Sequence, residues 1–362
     1  MKVLLLTETT KPTSGWGRVV DELIKHYHAA GIETIILTED GSGDDGILKN
    51  SLASLKSALI NSLKTRRYVK KCDIVHALDC YPYGLIAALA TLGTKKRFVM
   101  TAIGTYAIMP LENPKLKPLM TWAYRRAAKI MSITNYTTQE ISKRVSKLPP
   151  IQRVLLGVDA NRFHFNDENI EAPVPFFLSV GALKKRRGNH FILPALALIK
   201  KDFPNIEYNI VGDPSDKAYV SHLNSEIKRL DLEKNARILG KVSEETLLNL
   251  YQTCSAFIGV PDNTPTNFAG FHLVYLEANA MGKPVIAGEG YGTEEILYEG
   301  ENGFLVKPNN PESIASAMKK ILSDQKMRDY MHRRSREIST TLTWDKTAAE
   351  YIKIYNQVLK TK

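Results

Sequence analysis

The sequence contains no apolar stretch long enough to cross a lipid bilayer. Its opening segment, MKVLLLTETT, has only a few apolar residues before it turns polar, which predicts a β-strand rather than a signal peptide. There is no low-complexity tract and no convincing internal repeat. The 44% hydrophobic and 24% charged residues are the composition of an ordinary globular protein. We therefore expect a cytoplasmic protein.

Cysteine is scarce, and acidic residues are outnumbered by basic ones. Cys72, Cys80 and Cys254 are odd in number and lack metal-ligand spacing, so we interpret them as packing residues in a reducing compartment. The net charge of +11 favours anionic partners such as a membrane surface or nucleotides. Zinc-finger spacing and ribonucleoprotein aromatic signatures are missing, so nucleic acid is not an expected partner. For any single basic cluster, solvated surface charge is the alternative interpretation.

The 362 residues exceed what one hydrophobic core usually supports, so we expect two domains. Short apolar segments alternate with helical ones in both halves, which predicts an α/β protein whose two Rossmann-like, doubly wound domains face each other across a cleft. The predicted strands are Lys2 to Thr7, Thr34 to Thr38, Asp73 to Leu78, Arg97 to Ile103, Lys129 to Thr134, Phe176 to Val180, Ile206 to Gly212, Ala236 to Leu239, Ala256 to Val260, Val285 to Ala287 and Gly303 to Val306. The main helices are predicted to begin at Gly17, Gly188, Ala218, Glu244, Gly270, Pro311, Asp324 and Trp344.

The alternating pattern is interrupted between Pro149 and Ala172, where a Gly-Val-Asp turn precedes a polar run. Turn residues and polar runs of this kind are typical of linkers between domains. We therefore expect a first domain over residues 1–165 and a second over residues 166–343.

One carboxylate in the second half lies where an apolar residue is expected. A helix starting near Gly270 places Glu277 on the same stripe as Leu273, Leu276 and Ala280. An unpaired carboxylate facing a core costs several kcal/mol, so Glu277 should have a partner, either a basic side chain or the hydroxyls of a ligand. The alternative is a glutamate at the edge of the stripe that reaches water.

Three further segments are candidates for binding an anion. The loop from Gly181 to Gly188 carries four consecutive cations, Lys184 to Arg187, after a strand and before a helix, where doubly wound sheets bind ligands. The predicted helix start near Gly270 leaves the N–H groups of His272, Leu273 and Val274 available to a phosphate. Lys241 and Val242 follow a strand and present backbone to a flat base. If the diphosphate of a nucleotide binds near Glu277, that carboxylate can accept hydrogen bonds from both ribose hydroxyls.

In the first half, the loop between the first strand and the first helix contains Pro12, Gly15 and Gly17. The two glycines permit close approach of a phosphate to the helix N-terminus. A plain tight turn has the same residues and remains the alternative.

Over almost its full length the chain resembles the retaining glycosyltransferases of family 4, which have the two-domain GT-B fold. The order and spacing of the matching segments carry this resemblance. They are GWGR, DIVHALD, TAIGTYA, VLLGVDANRF, SVGALKKRRG, ARILGKVSEETLLNLY, GFHLVYLEANAMGKPVIAGEGYGTEEIL, ENGFLVKPNNPESIASAM and TWDKTAAEYIKIY.

The resemblance implies a nucleotide-diphosphate sugar as donor, a glycan or lipid-linked acceptor, and no metal ion. It assigns acceptor binding to residues 1–165 together with a crossing C-terminal helix, 344–362, and donor binding to residues 166–343. Carried over by position, Glu277 would hold the ribose and Arg187 the diphosphate. Gly15 and Gly17 would approach the sugar phosphate. Lys184 and His272 are candidates to assist Arg187 in catalysis.

Several positions depart from the family pattern. A usual glutamate is Ala269, a usual glycine is His272, a usual histidine is Ile103 and a usual arginine is Ala182. His272 places a titratable group beside the expected phosphate site.

Because the residues expected around the nucleotide remain, we predict an active transferase that makes a polysaccharide, a lipid-linked sugar or a glycolipid, in the cytoplasm or peripherally on the membrane. The main alternative is a nucleotide-sugar-binding or regulatory subunit that has lost catalysis. A sugar-nucleotide epimerase of the same fold is a third possibility.

Overall fold

The structure is a computed structural model that describes residues 1–43, 45–49, 54–164, 172–268 and 270–361. The chain divides into two compact units. The first comprises Met1–Gly157, Pro265–Phe271 and Trp344–Lys362, and the second comprises Val158–Thr264 and His272–Thr343. Among the described residues, no helix is both long and apolar enough to cross a membrane.

The first unit is built on a parallel sheet with the strand order β3-β2-β1-β4-β5-β6-β7. Its central strands are almost wholly buried and mostly apolar, as expected for a parallel sheet that is covered on both faces. The strands are β1 (Lys2–Thr7), β2 (Glu33–Thr38), β3 (Gly46–Ile47), β4 (Ile74–Ala77), β5 (Arg97–Ala102), β6 (Lys129–Ser132) and β7 (Ile151–Arg153).

The second unit has its own parallel sheet, with the order β10-β9-β8-β11-β12-β13. The chain moves outward from β8 in one direction and then returns to add β11 on the other side, which creates a switch point between these two strands. The strands are β8 (Phe176–Val180), β9 (Glu207–Val211), β10 (Ala236–Gly240), β11 (Ala256–Gly259), β12 (Val285–Gly288) and β13 (Gly303–Val306).

Helices connect the strands in both units. Several begin with a serine, threonine, aspartate or asparagine that caps the first turn, such as Ser14, Thr134 and Asp216. The helices are α1 (Gly15–Ala29), α2 (Leu55–Val69), α3 (Leu85–Ala90), α4 (Thr105–Glu112), α5 (Lys117–Arg126), α6 (Asn135–Arg144), α7 (Asn189–Ile199), α8 (Lys217–Arg229), α9 (Glu244–Thr253), α10 (Leu273–Ala280), α11 (Pro311–Ser323), α12 (Gln325–Thr341) and α13 (Trp344–Lys360).

The α/β fold class predicted from the sequence is confirmed, and differences occur at element ends. The two-residue strand β3 was not predicted. The helix expected from Gly270 begins at Leu273 instead. A Cβ on Gly270 would lie 1.8 Å from the carbonyl oxygen of Ile103, so Gly270 is packed against backbone of the first unit rather than wound into the helix.

The first segment of the first unit ends at Gly157, eight residues before the boundary expected at residue 165. Two side-chain contacts join the following residues to the second unit. Arg162 donates to Glu244 through both Nε and Nη2, the latter at 2.8 Å from Oε2. The ring of Phe163 meets the edge of Tyr251 with 5.8 Å between centroids. These contacts outweigh the polar composition from which the boundary was inferred.

A buried polar network attaches α13 to the first sheet. The hydroxyl of Tyr355 lies 2.6 Å from Nδ1 of His76 and 2.9 Å from the hydroxyl of Tyr27. Nε2 of His76 lies 2.7 Å from Oγ1 of Thr101. Burial lowers the pKa of His76 to about 3, so the imidazole is neutral and acts as one donor and one acceptor.

All three cysteines are buried and free of disulfides, as packing residues would be. Burial raises the pKa of the Cys72 thiol to about 11 and that of Cys254 to about 12. Both thiols therefore stay protonated and unreactive near neutral pH.

We predict that Tyr355→Phe destabilises the first unit. The change leaves Nδ1 of His76 and the hydroxyl of Tyr27 short of a hydrogen bond in a fully buried site, which costs about 1–3 kcal/mol. Urea unfolding monitored by circular dichroism measures the loss. Tyr298→Phe, at a side chain that is 46% exposed, is the matched control and should leave the unfolding free energy unchanged. Equal stability of the two variants would contradict the structural role assigned to this network.

Candidate active site

A pocket opens in the second unit at the carboxyl ends of β8, β9 and β11, at the switch point of the sheet. In doubly wound sheets this is the position at which ligands bind, because the crossovers leave the sheet in opposite directions there. The polar side chains that line it are Ser179, Arg187, Asn189, His272 and Tyr275.

Arg187 reaches the pocket because two glycines permit close packing. Its guanidinium lies against Gly181, where an added Cβ would be 3.3 Å from Nε. Gly188 has φ +72, and a Cβ there would collide with the carbonyl oxygen of Val260 at 1.6 Å. Within the described part of the chain, no carboxylate pairs with Arg187. Burial, followed by repulsion from Arg186, lowers the pKa of the Arg187 guanidinium, and an anion in the pocket would relieve both effects.

His272 lies in the pocket wall immediately before α10. Its ring stacks on Tyr275 with 4.5 Å between centroids and 21° between planes. Burial, with smaller contributions from Arg187 and Arg186, lowers the pKa of His272 to about 3. In the unliganded chain this titratable group is therefore neutral near physiological pH. Its Nε2 is buried and has no hydrogen-bond partner among the described residues.

Tyr275, the residue under the imidazole, is itself fixed. Its hydroxyl donates to the carbonyl oxygen of Gly259 at 2.8 Å, and a Cβ on Gly259 would lie 2.8 Å from the tyrosine ring. The lack of a side chain on Gly259 thus lets Tyr275 pack directly on β11. His272 consequently rests on a rigid aromatic surface.

The helix α10 starts without a side-chain cap. His272 is the N-cap residue, and its backbone carbonyl oxygen accepts from the N–H of Tyr275 at 3.0 Å, but its side chain makes no capping hydrogen bond to the first turn. Among the described residues, no acceptor is found for the N–H groups of Leu273 and Val274, two of the three backbone donors that the sequence predicted here. Val274 also lines the pocket beside Arg187, so the partial positive charge of the helix end and the guanidinium act on the same space.

Glu277 is buried one turn further along α10, and the structure supplies a partner that the sequence did not predict. The hydroxyl of Tyr251 donates to Oε2 of Glu277 at 2.9 Å, and both residues are buried. Glu277 also interacts with the nearby cation of Arg162. Burial lowers the pKa of Arg162, but the carboxylates of Glu244 and Glu277 outweigh this effect and raise it. Glu277 therefore does not need a ligand to be tolerated in the core.

Tyr251 was missed because it lies on the apolar face of α9, where an aromatic residue predicts packing alone. The sequence did carry one signal for this contact. A buried tyrosine usually finds a hydrogen-bond partner for its hydroxyl, and Tyr251 lies on the helix that precedes the one carrying Glu277. Asn189 and Ser179 were also missed. Tyr208 joins them by bonds of 3.0 Å to Oδ1 of Asn189 and 2.8 Å to Oγ of Ser179.

The other cations of the predicted donor site lie outside the pocket lining. Lys184 is exposed. Lys241 forms an exposed ion pair with Asp213, with 2.9 Å between Nζ and Oδ2. Strand β10 ends at Gly240, where φ is +68 and the chain turns. Lys241 and Val242 follow this turn. Ala182 lies in the basic loop after β8, and its side chain offers no charge.

Gly15 and Gly17 begin α1 in the first unit and differ in their surroundings. A Cβ on Gly17 would lie 1.9 Å from the carbonyl oxygen of Lys11, and its N–H donates to Oγ of Ser14 at 3.0 Å. Gly17 is thus required by the packing of its own loop. Gly15 has open space around its α-carbon, as a close approach of a ligand would need.

The segment that leads into α10 is attached to the first unit. Oγ1 of Thr105 donates to the carbonyl oxygen of Phe268 at 2.8 Å and accepts from its N–H at 3.0 Å. Tyr136 packs edge-on against the ring of Phe268. Ala269, where the family usually has a glutamate, lies outside the described residues.

Comparison with known proteins identifies the family. Residues 161–338 match the model for glycosyl transferases group 1, and residues 13–162 match that for glycosyltransferase family 4. The two matches together extend from residue 13 to residue 338, and the chain belongs to the glycosyltransferases of this group. The family predicted from the sequence is confirmed. An uncharacterized glycosyltransferase of Methanocaldococcus jannaschii is 24% identical over 99% of this chain and 99% of its own.

Solved structures show the same fold. A glycosyltransferase from Rickettsia africae has a TM-score of 0.84 and 21% identity, covering 100% of this chain and 99% of its own. Anabaena HepE in complex with UDP-glucose has a TM-score of 0.81 and 18% identity, covering 99% of this chain and 100% of its own. These likenesses confirm the predicted GT-B fold class. Nothing in the comparisons favours the alternative of a subunit without catalysis.

Among the described residues, no group of three or more histidine, cysteine, aspartate or glutamate side chains is arranged to hold a metal ion. The expectation that transfer needs no metal stays a prediction.

We predict that His272 remains uncharged in the unliganded protein from pH 8 down to pH 5. Because its folded-state pKa is lowered to about 3 from the ordinary 6.5, protonation begins only well below this range. Imidazole ¹⁵N NMR checks this, with the His272 signals assigned by their loss in His272→Gln. A titration midpoint near pH 6.5 for these signals would contradict the burial of the ring.

Proposed function

We propose that this glycosyltransferase moves a hexose, with retention of configuration, from a nucleotide-diphosphate sugar to a glycan or lipid-linked acceptor. The observation that carries the proposal is the partly buried Arg187, which faces the pocket beside the uncapped start of α10 and has no carboxylate partner among the described residues. A partly buried cation next to the backbone donors of a helix start is a site for a diphosphate.

The same groups suit the departure of that diphosphate. Transfer breaks the bond between the anomeric carbon and the diphosphate oxygen and forms a bond from that carbon to the acceptor hydroxyl, whose proton is released. Negative charge grows on the departing phosphate. Arg187 and the N–H groups of Leu273 and Val274 are in place before the reaction, so their stabilisation of this charge requires no reorganisation. We assign Lys184 a supporting electrostatic role as the diphosphate leaves.

We propose that Glu277 accepts hydrogen bonds from the ribose. Tyr251 occupies Oε2 with one bond, and an ionised carboxylate has about four acceptor positions. The bond from Tyr251 also fixes the rotamer of the carboxylate before the nucleotide arrives. Lys241 and Val242, at the end of β10, are proposed to meet the base.

His272 is proposed to contact the transferred sugar or its phosphate through a neutral imidazole. Its buried Nε2 lacks a partner among the described residues, and a ligand group in the pocket would supply one. In the first unit, Gly15 offers an open approach to the sugar phosphate, and Gly17 shapes the loop that presents it. Residues 1–165 with the last helix would bind the acceptor, and residues 166–343 the donor.

HepE supports the donor class because its structure holds UDP-glucose. At 18% identity this supports a nucleotide sugar without selecting the base or the sugar. A donor panel with mass analysis of the products identifies both. The positions of Ala269, Ile103 and Ala182 are where we expect the sugar preference to differ from that of other family members.

We predict that a nucleoside diphosphate stabilises the protein against heat and that Arg187→Ala removes this effect. A charge-assisted contact to phosphate contributes roughly 1.5–3 kcal/mol, so affinity should fall about tenfold or more. Thermal shift with UDP, GDP, ADP, CDP and TDP, followed by calorimetry with the best ligand, measures it. Donor turnover should fall at least as much.

Arg229→Ala is the control for Arg187→Ala, because Arg229 is an exposed arginine of the same unit paired with Glu226 on α8. It should bind and turn over like the unaltered protein. The proposal is wrong if none of the five nucleotides shifts the melting temperature.

A second prediction concerns the ribose. The best nucleotide should bind about tenfold or more tightly than its 2′,3′-dideoxy form, because loss of both hydroxyls leaves Glu277 without those donors. In Glu277→Gln this ratio should approach one, and in Tyr251→Phe it should fall partway. Calorimetry with the two ligands gives the ratio. Glu226→Gln, on α8, should keep the full ratio, and an unchanged ratio in Glu277→Gln would exclude the ribose contact.

A further inference from the structure

The helix α2 in the first unit exposes leucines and buries polar side chains, the opposite of what is expected for a surface helix. Apart from Val69, the side chains that it buries are small or polar, whereas three leucines at intervals of four residues, Leu55, Leu59 and Leu63, are exposed. Leu59 is 54% and Leu63 is 69% exposed. The buried residues are Ala58, Asn61, Ser62, Thr65 and Val69. A helix that only packed against the sheet would place its leucines inward.

Cations surround these leucines. The sequence from Gly46 to Cys72 contains no aspartate or glutamate, and it contains seven lysines and arginines. Arg66 and Lys70 continue the row of Leu59 and Leu63 at helical spacing, and Lys56 and Arg67 lie next to it. The exposed cations of this segment are Lys56, Lys64, Arg66, Arg67, Lys70 and Lys71.

The apolar surface extends to the strand beside the helix. Ile47 of β3 is 63% exposed, and Nζ of Lys64 lies 3.4 Å from its carbonyl oxygen. A shallow pocket between β3 and α2 is lined by Ile47 together with Lys64, Arg67 and Tyr68. We call the exposed side chains of Ile47, Leu55, Leu59 and Leu63, with Lys56, Lys64, Arg66, Arg67 and Lys70, the α2 face.

We propose that the α2 face docks on an anionic lipid bilayer, with α2 lying in the plane of the headgroups. The leucines and Ile47 enter the boundary between headgroups and acyl chains, and the lysines and arginines contact lipid phosphates. The aliphatic stems of these cations cover apolar surface while their charged ends reach outward.

The combination of leucines and cations favours lipid over another polyanion. A nucleic acid would use the cations, but it would leave Leu59 and Leu63 in water, and base stacking needs aromatic side chains that this face lacks apart from the half-buried Tyr68. An anionic bilayer satisfies both kinds of side chain. Such a surface would bring the first unit, to which we assign the acceptor, to a lipid-linked acceptor.

The proposal is tested by co-sedimentation of the full-length chain with large unilamellar vesicles. Binding to vesicles of phosphatidylcholine with 30 mol% phosphatidylglycerol is expected, with at least tenfold weaker binding to phosphatidylcholine alone. Leu59→Ser with Leu63→Ser should weaken binding to the anionic vesicles about tenfold, and Lys64→Gln with Arg67→Gln should weaken it similarly and reduce its salt dependence.

Matched controls come from the second unit. Leu198→Ser removes a leucine that is 45% exposed on α7, and Lys228→Gln with Lys326→Gln removes two exposed cations. These variants should bind vesicles like the unaltered chain. Because every change is at the surface, thermal unfolding and nucleotide affinity should stay unchanged in all of them, so a failure of the donor site and a failure of membrane docking are separately visible.

Three results would overturn the proposal. One is an absence of binding to anionic vesicles. Another is binding that the leucine variant leaves intact while duplex DNA competes for it, which would identify a general polyanion surface. The third is equal weakening by the control variants, which would make the effect one of total charge or hydrophobicity.

Discussion

The close packing of the Arg187 guanidinium at Gly181, which has no side chain, is the constraint on which the candidate site depends. Gly181 directly follows β8, and a Cβ there would lie 3.3 Å from Nε of Arg187, so the guanidinium would have to shift by a few tenths of an ångström. Gly188 then turns the chain into α7 through a left-handed conformation against the backbone of Val260. The result is a cation held partly out of water beside the first turn of α10. Holding a cation partly out of water costs free energy unless an anion is bound beside it, and a diphosphate would supply that anion.

The parts of this arrangement that the sequence predicted are those that follow from local pattern. The alternation of apolar strands with helices fixed the α/β class, and the glycines and cations after β8 indicated an anion site. The start of α10 was misplaced by three residues because Gly270 is held by a contact with Ile103, which is distant in sequence. The lowered pKa of His272 was also beyond prediction, since it depends on burial over Tyr275 and on the nearness of Arg187.

Glu277 shows how a correct observation led to an incomplete explanation. The helical spacing placed the carboxylate in the core, where the structure has it. The sequence then offered a basic residue or a ligand as its partner, whereas the structure adds the hydroxyl of Tyr251. A neutral donor on a neighbouring helix leaves no charge pattern in the sequence. The carboxylate is held in one orientation by this bond, and an acceptor already oriented loses less conformational entropy when a hydroxyl binds.

Net charge proves a weaker guide to function than the partners of individual cations. Arg126 bonds Ala88 and Thr91, Lys96 bonds the carbonyl of Cys72, and Arg334 pairs with Glu301 and Glu337. These residues contribute to the net positive charge that suggested an anionic partner, yet their charges are used within the fold. Within the described chain no carboxylate pairs with Arg187 or with the exposed cations of the α2 face, although Arg66 donates to the carbonyl oxygen of Leu92 at 2.7 Å. The excess of +11 is therefore a guide to function only through cations that lack a carboxylate partner within the described chain, such as Arg187 and the exposed cations of the α2 face.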